Sequence, residues 1–185
     1  MDLRRFLGLP PAIGSGTPRA SGAADEEVAT VRRIVERLES MAPDEAHKMA
    51  TFAYILARAA AADFGISDVE TRRIEQILVE QGLAETQAVL VTEIAKNTAR
   101  LIGGTEDYLV TREYLAVSTP EERLALVRAC YLVGAADDTI TAGESSVLDE
   151  IANELDIEEP QVTAIRAEFG DRFSALQRIR QSSAG

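Results

Sequence analysis

An all-α fold is predicted by three features of the sequence. Apolar residues recur at helical intervals, as in Val31, Ile34, Val35 and Leu38. No stretch sustains the strict alternation that marks a half-buried strand. A short phrase also occurs twice, as Ala62-Asp63-Phe64-Gly65-Ile66-Ser67-Asp68-Val69-Glu70 and as Ala136-Asp137-Asp138-Thr139-Ile140-Thr141-Ala142-Gly143-Glu144. Each copy reads as the end of an apolar helix, a tight turn closed by Ile, and a Ser/Thr-x-x-Glu that opens the next helix. The match runs on at the same offset, with Ile74 over Leu148, Ile77 over Ile151, Glu80 over Glu154 and Leu83 over Ile157. Two repeated helix-turn-helix units within a bundle of about seven to eight helices explain this better than chance does.

The elements follow in order. Residues 10–24 combine Pro, Gly, Ser and Ala without periodicity, so residues 1–24 are expected to form a flexible leader. Within it, Leu3, Phe6, Leu7 and Leu9 beside Arg4 and Arg5 could make a short contact segment for a membrane or a partner, although a disordered start is the simpler expectation. The first helix is expected from Asp25, where acidic residues suit a helix N-terminus, to about Met41. Pro43 begins a second, whose buried stripe is Met49, Phe52, Ala53, Leu56 and Ala60, and whose alanines at 57 and 59–62 let a neighbour approach. Gly65 ends it.

Ser67 to Glu70 has the pattern of a capping box, in which the hydroxyl accepts from the third helical amide and the glutamate reaches back to the cap amide. The helix it opens runs through Ile74, Ile77 and Leu78 to Gly82. A fourth, about Glu85 to Leu101, is expected to bury Val89, Leu90, Ile94 and Ala95, with Gly103-Gly104 as its break. A shorter one, Glu106 to Val117, carries Tyr108, Leu109 and Tyr114. Ser118-Thr119-Pro120-Glu121-Glu122 supplies the next start, for a helix through Leu124, Leu126, Val127, Cys130, Tyr131 and Val133 to Asp137. Thr141 to Glu144 is again a capping box, and Val147, Leu148, Ile151 and Leu155 stripe the helix behind it. Pro160, Val162, Ile165 and Phe169 mark one more. The body thus spans residues 25–170, and residues 171–185 form a short C-terminal helix or tail.

The chain has 185 residues, of which 46% are apolar, enough for one domain with a real core. A net charge of -12 argues against a nucleic-acid surface and for cations or basic partners. The single cysteine, Cys130, cannot form an internal disulfide and reads as a small buried hydrophobe. No apolar run reaches signal-peptide or membrane-span length, so a soluble, cytoplasmic protein is expected.

At these residues the chain resembles the tellurite-resistance TerB family, whose helical fold is shared by the N-terminal region of the DnaJ-like protein DjlA. The resemblance covers about residues 26–170. It rests on Ala62-Asp63 with Ile66 and Glu70, on Thr119-Pro120-Glu121-Glu122-Arg123-Leu124, and on Ala136-Asp137 with Ile140 and Glu144 leading into Leu148 and Ile151. The family's usual phrase is Ala-Asp-Gly-x-Ile/Leu-Ser/Thr-x-x-Glu. Both copies here depart from it at the glycine, which comes late as Gly65 in the first and is replaced by Asp138 in the second. The resemblance implies a stress-response or tellurite-resistance role and no agreed catalytic activity.

The acidic turns raise the question of metal. Asp-x-x-Ile-x-x-x-Glu copies the second half of an EF-hand loop, but the first ligand positions would fall on Ala59 and Ala61, or on Val133 and Ala135, which carry no side-chain oxygen. A shared divalent-cation site built from Asp63, Glu70, Asp137, Asp138 and Glu144 is the alternative, since clustered carboxylates suit a hard cation. Helix capping and turn hydrogen bonds explain the same residues without any ligand. No catalytic set is visible: the one histidine, His47, reads as a solvated residue, no Cys/His cluster offers zinc ligands, and no Walker loop, nucleophile elbow or dinucleotide fingerprint occurs. Two functions remain, a non-enzymatic cation-responsive module and a protein-protein adaptor with no metal or tellurite role.

Overall fold

In the computed structural model, residues 22–60, 68–80, 83–98 and 105–174 are described. They form helices α1 (Gly22–Glu39), α2 (Pro43–Ala60), α3 (Asp68–Glu80), α4 (Glu85–Thr98), α5 (Thr105–Val117), α6 (Pro120–Gly134), α7 (Ala142–Glu154) and α8 (Glu159–Glu168), closed by a 3-10 turn at Gly170–Arg172. Among the described residues there is no β-strand, only one isolated bridge between Ile140 and Phe173. The all-α bundle expected from periodicity is what forms.

Helix α2 lies at the centre and packs on α4, α5 and α6 at once. Its sequence permits this, because Ala46, Ala50, Ala53, Ala57 and Ala59 are all buried and leave the space that three neighbours need, while Ile55 and Leu56 fill the gaps between them. Each fully buried Leu or Ile of this kind contributes about 1.5–3 kcal/mol of transfer free energy. Helix α1 uses Ile34, Val35 and Leu38 against the body and ends at Glu39, short of Met41, whose side chain still rests on the core.

The repeat is visible in three dimensions. Helices α3 and α7 occupy matching sequence positions, and the paired residues Ile74 and Leu148, Ile77 and Ile151, and Leu78 and Ala152 are all buried. The packing is reciprocal as well: α2 meets α6, α2 meets α7, and α3 meets α6. Each unit therefore lays its first helix on both helices of the other.

Three local expectations are corrected. Val89 is 42% exposed, because the inward face of α4 is set by Ala88, Val91, Ile94 and Ala95 together with Leu90. Helix α6 stops at Gly134 rather than Asp137, since the backbone turns at Ala135 to deliver Ile140 into the core. His47 is half-buried, with Nε2 at 3.5 Å from Oε2 of Glu113 on α5. Gly65, Gly82 and the Gly103-Gly104 break lie outside the described residues, as do residues 1–21 and 175–185.

Candidate functional site

The second acidic turn is built almost wholly from its own backbone. After Gly134 the amides of Ala135, Ala136 and Asp138 donate to the carbonyls of Tyr131, Val133 and Ala135 at 3.0 Å each. Asp137 folds over the turn, its Oδ1 accepting from the Thr139 amide at 3.0 Å. Asp138 takes a φ of 69°, the left-handed region that glycine prefers and that Asp tolerates better than most residues. It stands where the usual phrase of the TerB-like pattern has glycine, a residue that takes such a φ without strain.

Chain beyond α8 closes this turn. The Ile140 amide donates to the Arg172 carbonyl at 2.7 Å, and the Ser174 amide returns to the Ile140 carbonyl at 3.0 Å. The Arg172 guanidinium donates to the Ala135 carbonyl at 3.1 Å and forms an ion pair with Asp138. Thr141 and Glu144 then make the capping box: the Glu144 amide donates to Thr141 Oγ1 at 3.2 Å, and Glu144 Oε2 accepts from the Thr141 amide at 2.7 Å. Glu144 is buried at 8% exposure.

Of the five carboxylates expected to meet a cation, Asp137, Asp138 and Glu144 therefore share one turn, where they accept from Thr139, Arg172 and Thr141 respectively. Asp63 lies outside the described residues, and Glu70 is described only as backbone in the first turn of α3. Among the described residues no group of three or more His, Cys, Asp or Glu is arranged to hold a metal ion.

A second constellation had no sequence signal beyond an arginine in an alanine-rich stripe. Arg58 of α2 is 4% exposed and reaches two other elements, α5 and α7. Its guanidinium donates to Thr111 Oγ1 at 2.8 Å and to Glu154 Oε2 at 2.7 Å, with Asp107 at 3.7 Å and Glu150 at 3.9 Å. Burial alone would lower its pKa, but the Glu154 hydrogen bond and the charges of Glu154, Asp107 and Glu150 outweigh that and raise it. Tyr54 adds a 2.7 Å hydrogen bond to Asp107. Cys130 nearby is fully buried, and desolvation pushes its thiol up to about 12 against the opposing charge of Arg58. A thiol in that state is not a nucleophile.

A concavity lies elsewhere, where the starts of α2, α4 and α6 meet the end of α5. It is an open cleft of about 820 Å³. Met49, Phe52, Leu83, Val91 and Tyr114 line it, with Phe52 and Tyr114 edge to face at 6.2 Å between ring centroids. Val117, 40% exposed, lies on its open side. Asp44, Glu45, Lys48 and Glu122 supply its charged groups. Lys48 Nζ sits 2.8 and 2.9 Å from the two Glu122 oxygens. Glu122 also closes a capping box with Thr119, accepting from the Thr119 amide at 2.8 Å. The Lys48 hydrogen bond, then the Thr119 amide, hold its carboxyl below the usual range. The sequence marked this stretch as a helix start with acids in its first turn, while the closing of the box by Glu122 and its partnership with Lys48 came from the fold.

No helix among the described residues is long and apolar enough to cross a membrane. Comparison with curated proteins and with solved structures finds no significant match. The profile of the family described as Tellurite resistance protein TerB matches residues 48–167. That span takes in the first helix-turn-helix unit from Lys48 onward, all of the second, the Arg58 cluster and most of the cleft, and the chain belongs to the TerB family.

Proposed function

We propose that this protein is a non-enzymatic, cytoplasmic TerB-family module of tellurite resistance and stress response that works by seating a protein partner in the cleft between α2, α4, α5 and α6. One observation supports the reading above others: the cleft is lined by apolar and aromatic side chains and ringed by acids. Aromatic and methionine side chains in a concave patch are what protein anchors fill. The test is tellurite survival of cells lacking the gene, complemented by the wild type, by Met49→Asp or by Val117→Asp, with circular dichroism confirming that each variant folds. Loss of survival is expected from both cleft variants. Full complementation by both removes the reading.

A second reading, that at least one acidic turn binds a divalent cation, is favoured by the Asp138 carboxylate, whose side chain is 85% exposed beside Asp137 in the turn that Glu144 caps. Calorimetry with calcium, magnesium, manganese and zinc tests it on the wild type and on the pairs Asp63→Asn with Glu70→Gln and Asp137→Asn with Glu144→Gln. Heat that disappears in either pair, with the helices intact, is expected. No heat at millimolar ion reduces the motif to architecture.

A further inference from the structure

We propose that the N-terminal segment of this chain, Leu3 to Leu9, docks in the cleft at Met49, Phe52 and Val117. The lining of the cleft sets what can fill it. Its floor is apolar and open, and the acids Asp44 and Glu45 stand exposed at its edge in the first turn of α2, whereas Glu122 is already matched by Lys48. An occupant must therefore bring apolar side chains and positive charge within a few residues.

Of the stretches outside the described residues, residues 3–9 bring this composition together with an aromatic side chain, which the stretch with Leu176, Arg178, Ile179 and Arg180 lacks. Leu3, Phe6 and Leu7 are spaced so that one face can be apolar, and Arg4 and Arg5 lie between them, two cations for the two exposed carboxylates. The tether is long enough. Helix α1 has 18 residues and is about 27 Å long at about 1.5 Å per residue, and its last turn adjoins the start of α2, where the cleft opens. Residues 10–21 separate the segment from α1 and can span about 40 Å when extended at about 3.3 Å per residue. The segment can thus run back along α1 and reach Asp44. Attachment to the same chain also raises its local concentration well above that of a free peptide.

The experiment uses the full chain with Asp2→Cys carrying a nitroxide spin label. Cys130 is fully buried with a suppressed thiol, so the label goes to position 2 alone, and the unsubstituted chain serves as a control that takes up no label. Docking is expected to remove most of the methyl and amide signal intensity of Met49, Phe52 and Val117 at all protein concentrations, and Phe6→Asp is expected to restore it. Intact cleft signals, or broadening centred on another surface, overturn the proposal. So does broadening seen only when labelled, isotope-free chain is mixed with unlabelled, isotope-enriched chain, because the occupant is then a second copy. The leader contact and the partner reading stand or fall separately: an undocked leader leaves partner seating intact, and cleft variants that restore tellurite survival leave the leader contact intact.

Discussion

Replacing Arg58 with Met removes a cation that both Glu154 and Asp107 face, and their side chains are only 9% and 15% exposed. The cost is therefore set by the acids left behind rather than by the lost packing, and about 3 kcal/mol is expected from urea unfolding of Arg58→Met. Adding Glu154→Gln to that variant is expected to recover part of the loss, because one uncompensated charge disappears; an additive double variant would place the Arg58 effect in packing alone. Asp138 makes a second demand at the same scale. With φ at 69°, a β-branched residue there meets its own carbonyl, so Asp138→Val is expected to cost about 1–2 kcal/mol. Asp138→Gly is expected to change stability by less, since the relief of backbone strain offsets the lost Arg172 ion pair and the greater entropy of the unfolded chain. Equal melting temperatures for the Val and Gly variants would remove φ as the reason for the residue. Arg58 was not legible from the sequence because nothing local marks a buried arginine, and its partners lie 53 and 96 residues away at Thr111 and Glu154.

At the scale of the element, what the sequence does announce is its punctuation. Thr141 to Glu144 and Thr119 to Glu122 both form complete capping boxes, since the cap needs only residues within one turn of each other. Faces were less legible than ends. Val89 and Leu90 are adjacent and equally apolar, and only the placement of α2 and α3 against α4 decides that Leu90 is buried and Val89 exposed. The acidic turn shows the same limit. Asp137 and Glu144 were visible as turn and cap residues, while Arg172, which arrives from beyond α8, was not. A cap and a ligand make different predictions here. If Glu144 is a cap, Glu144→Gln keeps the oxygen that the Thr141 amide needs and is expected to cost well under 1 kcal/mol, whereas Thr141→Ala leaves an α7 amide without its acceptor and is expected to cost about 1 kcal/mol. Thermal unfolding of both variants checks the order; Glu144→Gln the more damaging of the two would favour a role for its charge.

The whole molecule is two interlocked units, and its symmetry creates a problem at the place where the first helices meet. Lys48 and Glu122 are 74 residues apart, the spacing of the repeat, so they are the same position in the two copies, and they touch. An unmodified repeat would set one charge against its own likeness. Divergence to Lys in one copy and Glu in the other converts that repulsion into a paired contact next to the cleft. Lys48→Glu recreates the like pair and is expected to destabilise the chain by about 1 kcal/mol at pH 7 and low salt, falling as salt rises, because both side chains are partly exposed. Acid gives an independent check. The Glu122 carboxyl is held below its unfolded value by Lys48 and by the Thr119 amide, so its contribution is fully present above the ordinary glutamate value of about 4.3 and is lost as pH falls through the lowered folded value. Glu122→Gln lacks this contribution and is expected to lie below the wild type in melting temperature at pH 7 and to converge with it in strong acid. Parallel curves for the two proteins across that range would show that the contact across the repeat does not depend on the Glu122 charge.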